Sequence, residues 1–482
     1  MFEFKKYIKL IDIAFYVVLG FLLLNFKFTG GFYFILSEVV FIVYLLFILQ
    51  ILRSGLFKYV YEPPIFFLFF SFIYEFLKFP YYFGYTSIGK LVDASLLGAS
   101  KFRISDYYAN SAFLLLYQAI CIAVLLICYF LVVKRKSKVP VIKKVSITKD
   151  TFLVAICAIF LVGSTVALYS ITGGNLLFLL TRRSGNEEAS KILQSNYLVA
   201  FSTAFVLIIV PVLIGFRVFS NRPWKKLLFI YLPAIILEYI ISGGRGFIIY
   251  SLAALFTIFS SKPGFSISIT KIAMVGGSAI MLFSILGLVR RSFSDTSNIL
   301  NNIKDQSEVE DEWYYELSGY QLQFRDEMVF ENASKAGFLL GDSYLNLVTF
   351  AFPKSLLGDA KPDFIDLDVV RNFWGRDDVG LPLNSMTESY YNFSFFGILI
   401  FLLFGFVMAR ITQWLANNQS VVYKCIVVVL LFYAETWSTT YLVYVLQTLI
   451  VVYFPLKFVK EKLEKQDTNK SAPEGSLVFD NS

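Results

Sequence analysis

Histidine does not occur anywhere in this sequence. The imidazole group exchanges protons readily near neutral pH, and it is a common metal ligand. Its absence excludes histidine-based general bases, nucleophile partners and metal sites. Proton transfer by this chain would have to use other groups, among which carboxylates are suitable general bases.

Charged residues are also scarce. They account for 16% of the chain and hydrophobic residues for 57%, whereas soluble domains carry about 25% charged residues. The apolar residues form long continuous runs, and the short alternating segments of a transmembrane β-barrel are missing. The composition predicts an all-α polytopic integral membrane protein, because helices that are apolar on every side belong in lipid.

Cysteine is rare as well, and each cysteine lies inside an apolar run. We therefore expect membrane-embedded thiols and no disulfide framework. Neither a metal site nor another cofactor is predicted from these residues. The positions are Cys121, Cys128, Cys157 and Cys425.

The net charge of +8 comes from lysine and arginine in short loops between apolar runs. These residues indicate membrane topology, so nucleic-acid binding is not predicted. Basic clusters occupy 134–149, 217–226 and 457–465, and Lys5 and Lys6 precede the first apolar run. If the helices alternate, all these sites lie on one side, the cytoplasm, and both termini are cytoplasmic. No small-residue cleavage site follows the first run, so it is predicted to remain as a helix.

About twelve apolar segments are predicted to be transmembrane helices. They are 10–26, 32–52, 63–79, 110–133, 151–171, 197–219, 227–241, 247–260, 272–289, 392–414, 421–436 and 438–456. The seventh and eighth are short for a bilayer about 30 Å thick, so two interpretations stay open: half-helices or a tilted pair. The chain then divides into nine helices over 1–289, a large periplasmic loop over 290–391, three helices over 392–457 and a disordered cytoplasmic tail over 458–482.

Carboxylates inside membrane helices are costly and are functional candidates by default. In the predicted topology, four of them fall in the outer halves of their helices, which favours a polar cavity open to the outside. The alternative is snorkelling or local ion pairing, such as Glu75 with Lys78 one turn on. The carboxylates are Glu38, Glu75, Glu238 and Glu435.

Arginines at the outer ends of helices are the second set of candidates. Arg245 lies in a glycine-rich turn with Gly243 and Gly244, which permits close approach of a ligand. Its guanidinium suits phosphate oxygens, and a helix starting near Gly246 would add amide donors. Arg290 and Arg291 end the ninth predicted helix on the same side. The alternative interpretation is that these arginines close a turn or anchor a helix at the headgroup level.

The second half of the 290–391 loop is rich in polar and aromatic residues. Asparagine, serine, threonine and tyrosine beside acids suit the hydroxyls and ring faces of sugars. The alternative is an ordered loop held by its own aromatic core. Helical periodicity over 318–336 indicates at least one helix in this loop.

Short motifs resemble those of the Wzy-type O-antigen polymerases, which join oligosaccharide repeat units. The similarity covers roughly 150–455 in layout. The motifs are Gly-Gly-Arg-Gly at 243–246, Pro353-Lys354-Ser355 with Lys361-Pro362, and Glu388 with Tyr391-Asn392-Phe393 and Gly397. Members of this family commonly carry arginine where Lys354 stands, which puts a bidentate contact there in doubt.

The resemblance implies a GT-C-like, inverting, metal-independent glycosyltransferase in the bacterial inner membrane. Its substrate would be an undecaprenyl-diphosphate-linked oligosaccharide at the periplasmic face, polymerised during lipopolysaccharide biosynthesis. The expected partners are the lipid bilayer and possible associates of that pathway, a chain-length regulator and a flippase.

Site roles follow from this chemistry. Arg245, Arg290 and Arg291 would stabilise the departing diphosphate, and Glu388 would be the general base, with Glu435 or Glu238 as alternatives. Substrate-binding residues would be Gly243, Gly244, Lys354, Lys361, Tyr391 and Asn392.

Other functions stay open. O-antigen ligases resemble this chain in architecture but use a histidine in the large loop, so the missing histidine favours a polymerase. A lipid-linked oligosaccharide flippase or other transporter fits the helix number but not the long outer loop. A sensor or scaffold explains the loop but not the arginine in its helical turn.

A reporter fused near Ser318 tests the predicted orientation. We expect a reporter that is active only in the periplasm to be active there, because 290–391 is predicted to be translocated. The same reporter fused within 134–149 is the opposite control. Activity of a cytoplasmic reporter at Ser318 would overturn the whole orientation.

Overall fold

The computed structural model describes residues 3–27, 30–84, 102, 104, 106–134, 147–176, 197–242, 246–262, 265, 325–349, 361–375, 383–418 and 420–450. The predicted ninth helix, 272–289, lies outside these ranges. So do the predicted tail, 458–482, and the loop residues 290–324.

Within these ranges the chain is all-helical and contains no named strand, which confirms the predicted all-α class. The helices are α1 (Lys5–Asn25), α2 (Phe32–Arg53), α3 (Pro63–Phe76), α4 (Phe79–Tyr82), α5 (Tyr107–Val132), α6 (Ile147–Ile171), α7 (Tyr197–Phe219), α8 (Leu228–Ser242), α9 (Gly246–Ser260), α10 (Arg325–Ala336), α11 (Asp342–Thr349), α12 (Ile365–Val369), α13 (Ser385–Phe393), α14 (Ile400–Asn417), α15 (Val421–Tyr433) and α16 (Thr439–Ile450). A π-turn, Val370–Trp374, continues α12, and a 3-10 segment, Ser394–Leu399, joins α13 to α14.

Five apolar segments among the described residues are long enough to cross a membrane by length and composition. They are Lys5–Asn25, Phe32–Arg53, Tyr107–Val132, Thr151–Ile171 and Ser385–Asn417. Shorter apolar helices occupy Pro63–Phe76, Phe205–Phe219, Ile249–Ser260, Val421–Tyr433 and Thr439–Ile450. The chain is therefore a helical protein with several potential membrane spans, and the total of about twelve stays a prediction.

The described helices begin and end close to most of the predicted limits. α8 and α9 each contain 15 residues, as expected for the two short helices around the glycine-rich turn. The predicted helix 392–414 is wrong at its start, because α13 ends at Phe393 and α14 begins only at Ile400. Ser394 has a φ of 53°, a left-handed conformation that breaks the α-helix and that hydropathy does not reveal.

Local sequence signals explain where the helices begin. α3 begins with two prolines, whose missing N–H groups cost nothing in the first turn. Asp106 caps α5 by accepting a hydrogen bond from the amide of Ala109 at 3.0 Å. Asn384 caps α13 in the same way, accepting from the amide of Thr387 at 2.8 Å.

The helices pack in two groups. α2 and α14 both pack along α5, with α1 against α2, while α6, α8, α9 and α15 pack around α7. α3 joins the groups because it contacts both α14 and α15. Its rings make the contact: Phe67 lies 6.1 Å from Phe401 of α14 and Phe66 lies 5.0 Å from Phe432 of α15, measured between ring centroids.

The described part of the 290–391 segment docks on the first group. α10 packs against α5 and α13, and α13 also packs against α5. The buried residues of α10 include Met328, Val329 and Ala333, three of the apolar residues that indicated a helix over 318–336. That prediction is confirmed for Arg325–Ala336, and residues 318–324 lie outside the described ranges.

The contact of α5 with α14 depends on a glycine. A Cβ atom placed on Gly405 of α14 would lie 2.4 Å from the carbonyl oxygen of Leu125 and 3.0 Å from Cβ of Cys128. A backbone oxygen cannot move aside as a flexible side chain does. The two helices can therefore approach this closely only with glycine at position 405.

Replacing Gly405 with alanine should push α14 away from α5. We expect a loss of roughly 1–3 kcal/mol in stability, the usual range for overpacking, measured as a lower melting temperature in detergent. Gly163→Ala on α6 is the matched control, because a Cβ there meets nothing within 4 Å. Equal melting temperatures for the two variants would contradict the close packing.

Candidate functional site

Three charged residues at the start of α10 are buried in the bundle. Arg325, Asp326 and Glu327 are 2%, 1% and 0% exposed. Arg325 donates to the Tyr74 hydroxyl of α3 from Nη2 at 2.6 Å and from Nε at 3.1 Å. The same hydroxyl donates to Oδ2 of Asp326. Tyr74 therefore links an arginine and a carboxylate, and the pairing offsets part of the cost of burying them.

Lys78, which follows α3, lies between two carboxylates. Its Nζ is 3.3 Å from Oε2 of Glu75 and 3.1 Å from Oε1 of Glu327. Gln118 of α5 donates to Oε1 of Glu75 at 3.3 Å. The local pairing of Glu75 with Lys78 is confirmed, and α10 extends it by adding a second carboxylate. Removing one member would leave buried charge unpaired, which typically costs ~3–5 kcal/mol.

The other carboxylates in apolar helices have separate surroundings. Glu38 accepts a hydrogen bond at 3.3 Å from the amide of Lys27. Glu238 is buried in α8, and its Oε2 has no hydrogen-bond partner among the described residues. Asp12, near the start of α1, pairs with Arg53 of α2 at 3.1 Å. The sequence alone could not predict these partners, because each comes from a different turn or helix.

Glu388, the predicted general base, is enclosed by donors and is 0% exposed. Its Oε1 accepts from the hydroxyl of Ser343 at 2.6 Å and from the hydroxyl of Thr439. Its Oε2 accepts from the amide of Thr439 at 2.8 Å. The carboxylate thereby joins α11, α13 and α16.

Tyr391 and Asn392, predicted to bind substrate, are also buried and bonded within the protein. Asn392 donates to the Ser343 hydroxyl at 2.9 Å and accepts from the amide of Gly341 at 3.0 Å. The Tyr391 hydroxyl accepts from Nδ2 of Asn372 at 2.9 Å. These contacts match the alternative interpretation, in which the loop is held by its own polar and aromatic core.

The turn between α15 and α16, residues 434–438, contacts several of these groups. The amide of Ser385 donates to the carbonyl of Thr436 at 3.0 Å. Just after the turn, Thr439 bonds Glu388, and Thr440 donates to Oδ1 of Asp366 at 3.1 Å. We call residues 434–441 the α15–α16 turn region.

Glu435 is the carboxylate of this turn region. It is hydrogen-bonded to Tyr250 of α9 and to Tyr441 of α16, and it lies within the electrostatic reach of Arg325. Unlike Glu388, residue Glu435 is partly exposed. The site therefore combines residues from α3, α9, α10, α12, α13 and α16, which are far apart in the sequence.

Burial raises the pKa values of the two carboxyl groups of α12, Asp366 and Asp368. It raises the pKa of Asp368 to about 6, an effect that the nearby Asp363 increases and Arg371 opposes. It also raises the pKa of Asp366, although the hydrogen bond from Thr440 works against it.

Several predicted site residues lie outside the described ranges. They are Gly243, Gly244, Arg245, Arg290, Arg291 and Lys354. α8 ends at Ser242 and α9 begins at Gly246, on either side of the predicted glycine-rich turn. Lys361, predicted to bind substrate, is described and is partly exposed.

The residues that sequence reasoning missed are Tyr74, Arg325, Asp326, Thr439 and Thr440. Hydroxyl residues in and beside apolar runs carry no distinctive signal. The charged triplet 325–327 at the start of an amphipathic helix is the one signal that could have been used, because three adjacent charges are unusual in a helix that must pack.

Comparisons with protein-family models, curated proteins and solved structures return no significant match. The class of protein therefore rests on the structure itself. It is an all-helical protein with several apolar helices suited to a membrane and a buried, charged site between them.

Replacing Glu388 with alanine should destabilise the protein. The Ser343 hydroxyl and the Thr439 hydroxyl and amide would lose their acceptor. Losing a hydrogen bond between a buried donor and a charged group typically costs about 1.5–3 kcal/mol of stability. The measurement is thermal unfolding of the purified protein. Glu3→Ala is the control, because its pairing with Lys5 at 3.6 Å is partly exposed and should contribute little. A Glu388→Ala protein as stable as wild type would refute the idea that the Glu388 carboxylate holds α11, α13 and α16 together.

Proposed function

We propose that this protein is a membrane glycosyltransferase that polymerises lipid-linked oligosaccharide repeat units. The observation that carries the proposal is the buried, histidine-free polar site in which α10, α12 and α13 meet the α15–α16 turn region. Carboxylates, an arginine and hydroxyls are suited to binding sugars and to removing a proton from a hydroxyl group.

The reaction breaks the bond between the anomeric carbon of the growing chain and its undecaprenyl diphosphate. A hydroxyl of the incoming lipid-linked unit attacks that carbon with inversion. The departing diphosphate gains negative charge, which arginines stabilise best in a site that excludes water. Arg245, Arg290 and Arg291 are the proposed residues for this role.

The expected place of Arg245 agrees with this scheme. It immediately precedes Gly246, the first residue of α9, and Tyr250 of the same helix is bonded to Glu435. The amino end of α9 would add amide donors for phosphate oxygens.

The membrane arrangement forms part of the proposal. The shorter apolar helices and segment 272–289 would complete about twelve spans in a GT-C-like arrangement. Both termini would be cytoplasmic in a bacterial inner membrane, with 290–391 in the periplasm. The lipid-linked substrate would then enter from the outer leaflet, with a flippase supplying it and a chain-length regulator as a possible partner.

Replacing Arg245 with alanine should abolish polymer formation in cells. A strain lacking this protein is complemented with wild type or variant at matched expression, and its surface polysaccharide is separated on a gel. Wild type should restore a ladder, whereas Arg245→Ala should leave lipid cores with a single repeat unit. Arg245→Lys should also lose most activity, since lysine keeps the charge but lacks the bidentate fork.

Arg410→Ala is the matched control, because this exposed arginine on α14 stacks over Phe406 and contacts no part of the site described above. If deletion removes even the single-unit cap, the protein acts earlier or at ligation, and the flippase or ligase alternatives replace this proposal. Full activity of Arg245→Ala would refute the diphosphate role.

A further inference from the structure

The candidate bases differ in whether a substrate could reach them. Glu388 is 0% exposed, and both of its oxygens already accept hydrogen bonds from Ser343 and Thr439. A sugar hydroxyl would have to displace these donors from a closed interior. Glu388 therefore has the geometry of a residue that holds helices together.

Glu238 is also poorly placed. It is buried within the apolar helix α8, and its Oε2 has no hydrogen-bond partner among the described residues. A general base that repeatedly gains and loses a proton needs polar partners and a route to water. Tyr433 lies within the electrostatic reach of Glu238, but burial in α8 separates the carboxyl group from water.

Glu435 has the features that the other two lack. It is partly exposed, and the hydroxyls of Tyr250 and Tyr441 bond its carboxyl group. Its φ is 30°, and that of Trp437 is 57°. Such left-handed conformations of residues other than glycine typically cost about 1–3 kcal/mol and are found preferentially at functional sites.

The surrounding contacts hold this strained backbone in place. The amide of Trp437 donates to the carbonyl of Ala434 at 2.6 Å, and the Trp437 ring packs against Phe67 at 5.9 Å between centroids. The amide of Ser385 bonds the carbonyl of Thr436. The turn therefore presents Glu435 in one fixed orientation.

The charges around Glu435 indicate which part of the substrate it meets. Arg325 lies close enough to act electrostatically on Glu435, Asp326 and Asp366. Among these described residues the carboxylates outnumber the cation, so a diphosphate would be repelled. An uncharged, hydroxyl-rich sugar is the ligand that fits.

We propose that Glu435 is the general base for the acceptor sugar. This inference rests on the proposed polymerase function. The carboxylate takes the proton of the attacking hydroxyl as the new oxygen–carbon bond forms. The anomeric carbon–diphosphate bond breaks, and the diphosphate leaves with the electron pair. The proton on Glu435 then passes to solvent through its exposed side.

The test uses the purified full-length protein in lipid nanodiscs with a lipid-linked repeat unit as substrate. Polymer formation is followed on gels for wild type, Glu435→Gln, Glu435→Ala, Glu388→Gln and Glu388→Ala. Removal of a general base typically lowers the rate by 10²–10⁴-fold, so we expect at least a ~100-fold loss for Glu435→Gln at saturating substrate. Glu331→Gln, on α10 itself, is the matched control, because this carboxylate accepts from Asn110 of α5 at 2.7 Å and does not contact the α15–α16 turn region among the described residues.

Chemical rescue separates a base from a structural carboxylate. Added formate should restore part of the activity of Glu435→Ala, because a small carboxylate can occupy the space left by the side chain. A structural role would not respond to formate. Melting temperatures confirm that each variant is folded.

The outcomes separate the two proposals. If wild type forms no polymer from the lipid-linked unit, the proposed function fails and this inference falls with it. If wild type is active but folded Glu435→Gln keeps more than a tenth of the wild-type rate, the inference alone is wrong. It is also wrong if formate rescues Glu388→Ala and not Glu435→Ala.

Discussion

Burial of charge in an apolar bundle is the constraint on which this structure depends. Lys78 is 1% exposed and lies between Glu75 of α3 and Glu327 of α10. An unpaired ammonium group there would be strongly unfavourable, so the membrane helices need α10 docked against them. The same docking brings Arg325 and Asp326 to Tyr74, and it places a charged helix end where the two helix groups meet.

The α15–α16 turn region depends on that arrangement. α3 connects the two groups through phenylalanine rings, and Phe67 of this helix packs on Trp437 of the turn. With the turn held, Thr439 and Thr440 can satisfy carboxylates on α13 and α12, and Glu435 faces Tyr250 and Tyr441. A polar site inside an apolar protein is stable only when nearly every group has such a partner.

Helix positions could be predicted from the sequence because long apolar runs have few alternatives in a membrane protein. The start of α14 could not be predicted, because the α-helix breaks at Ser394, whose φ is 53°. Three residues later, a Cβ on Gly397 would lie 2.3 Å from the carbonyl oxygen of Ser389. Glu388 was predicted to be the general base, and that role stays a prediction. Its enclosure by Ser343 and Thr439 was not predictable, because these residues are separated from it by 45 and 51 positions.

The sequence by itself determined the helical class, the apolar segments suited to a membrane and the exclusion of histidine chemistry, because these follow from composition and local periodicity. Tertiary structure alone decided which carboxylates are enclosed by donors and which one is partly exposed. The reason is physical: the environment of a buried charge is set by partners from other helices, and their identity depends on how the helices pack. Glu388 and Glu435 look alike as residues in the chain, and only their neighbours distinguish them.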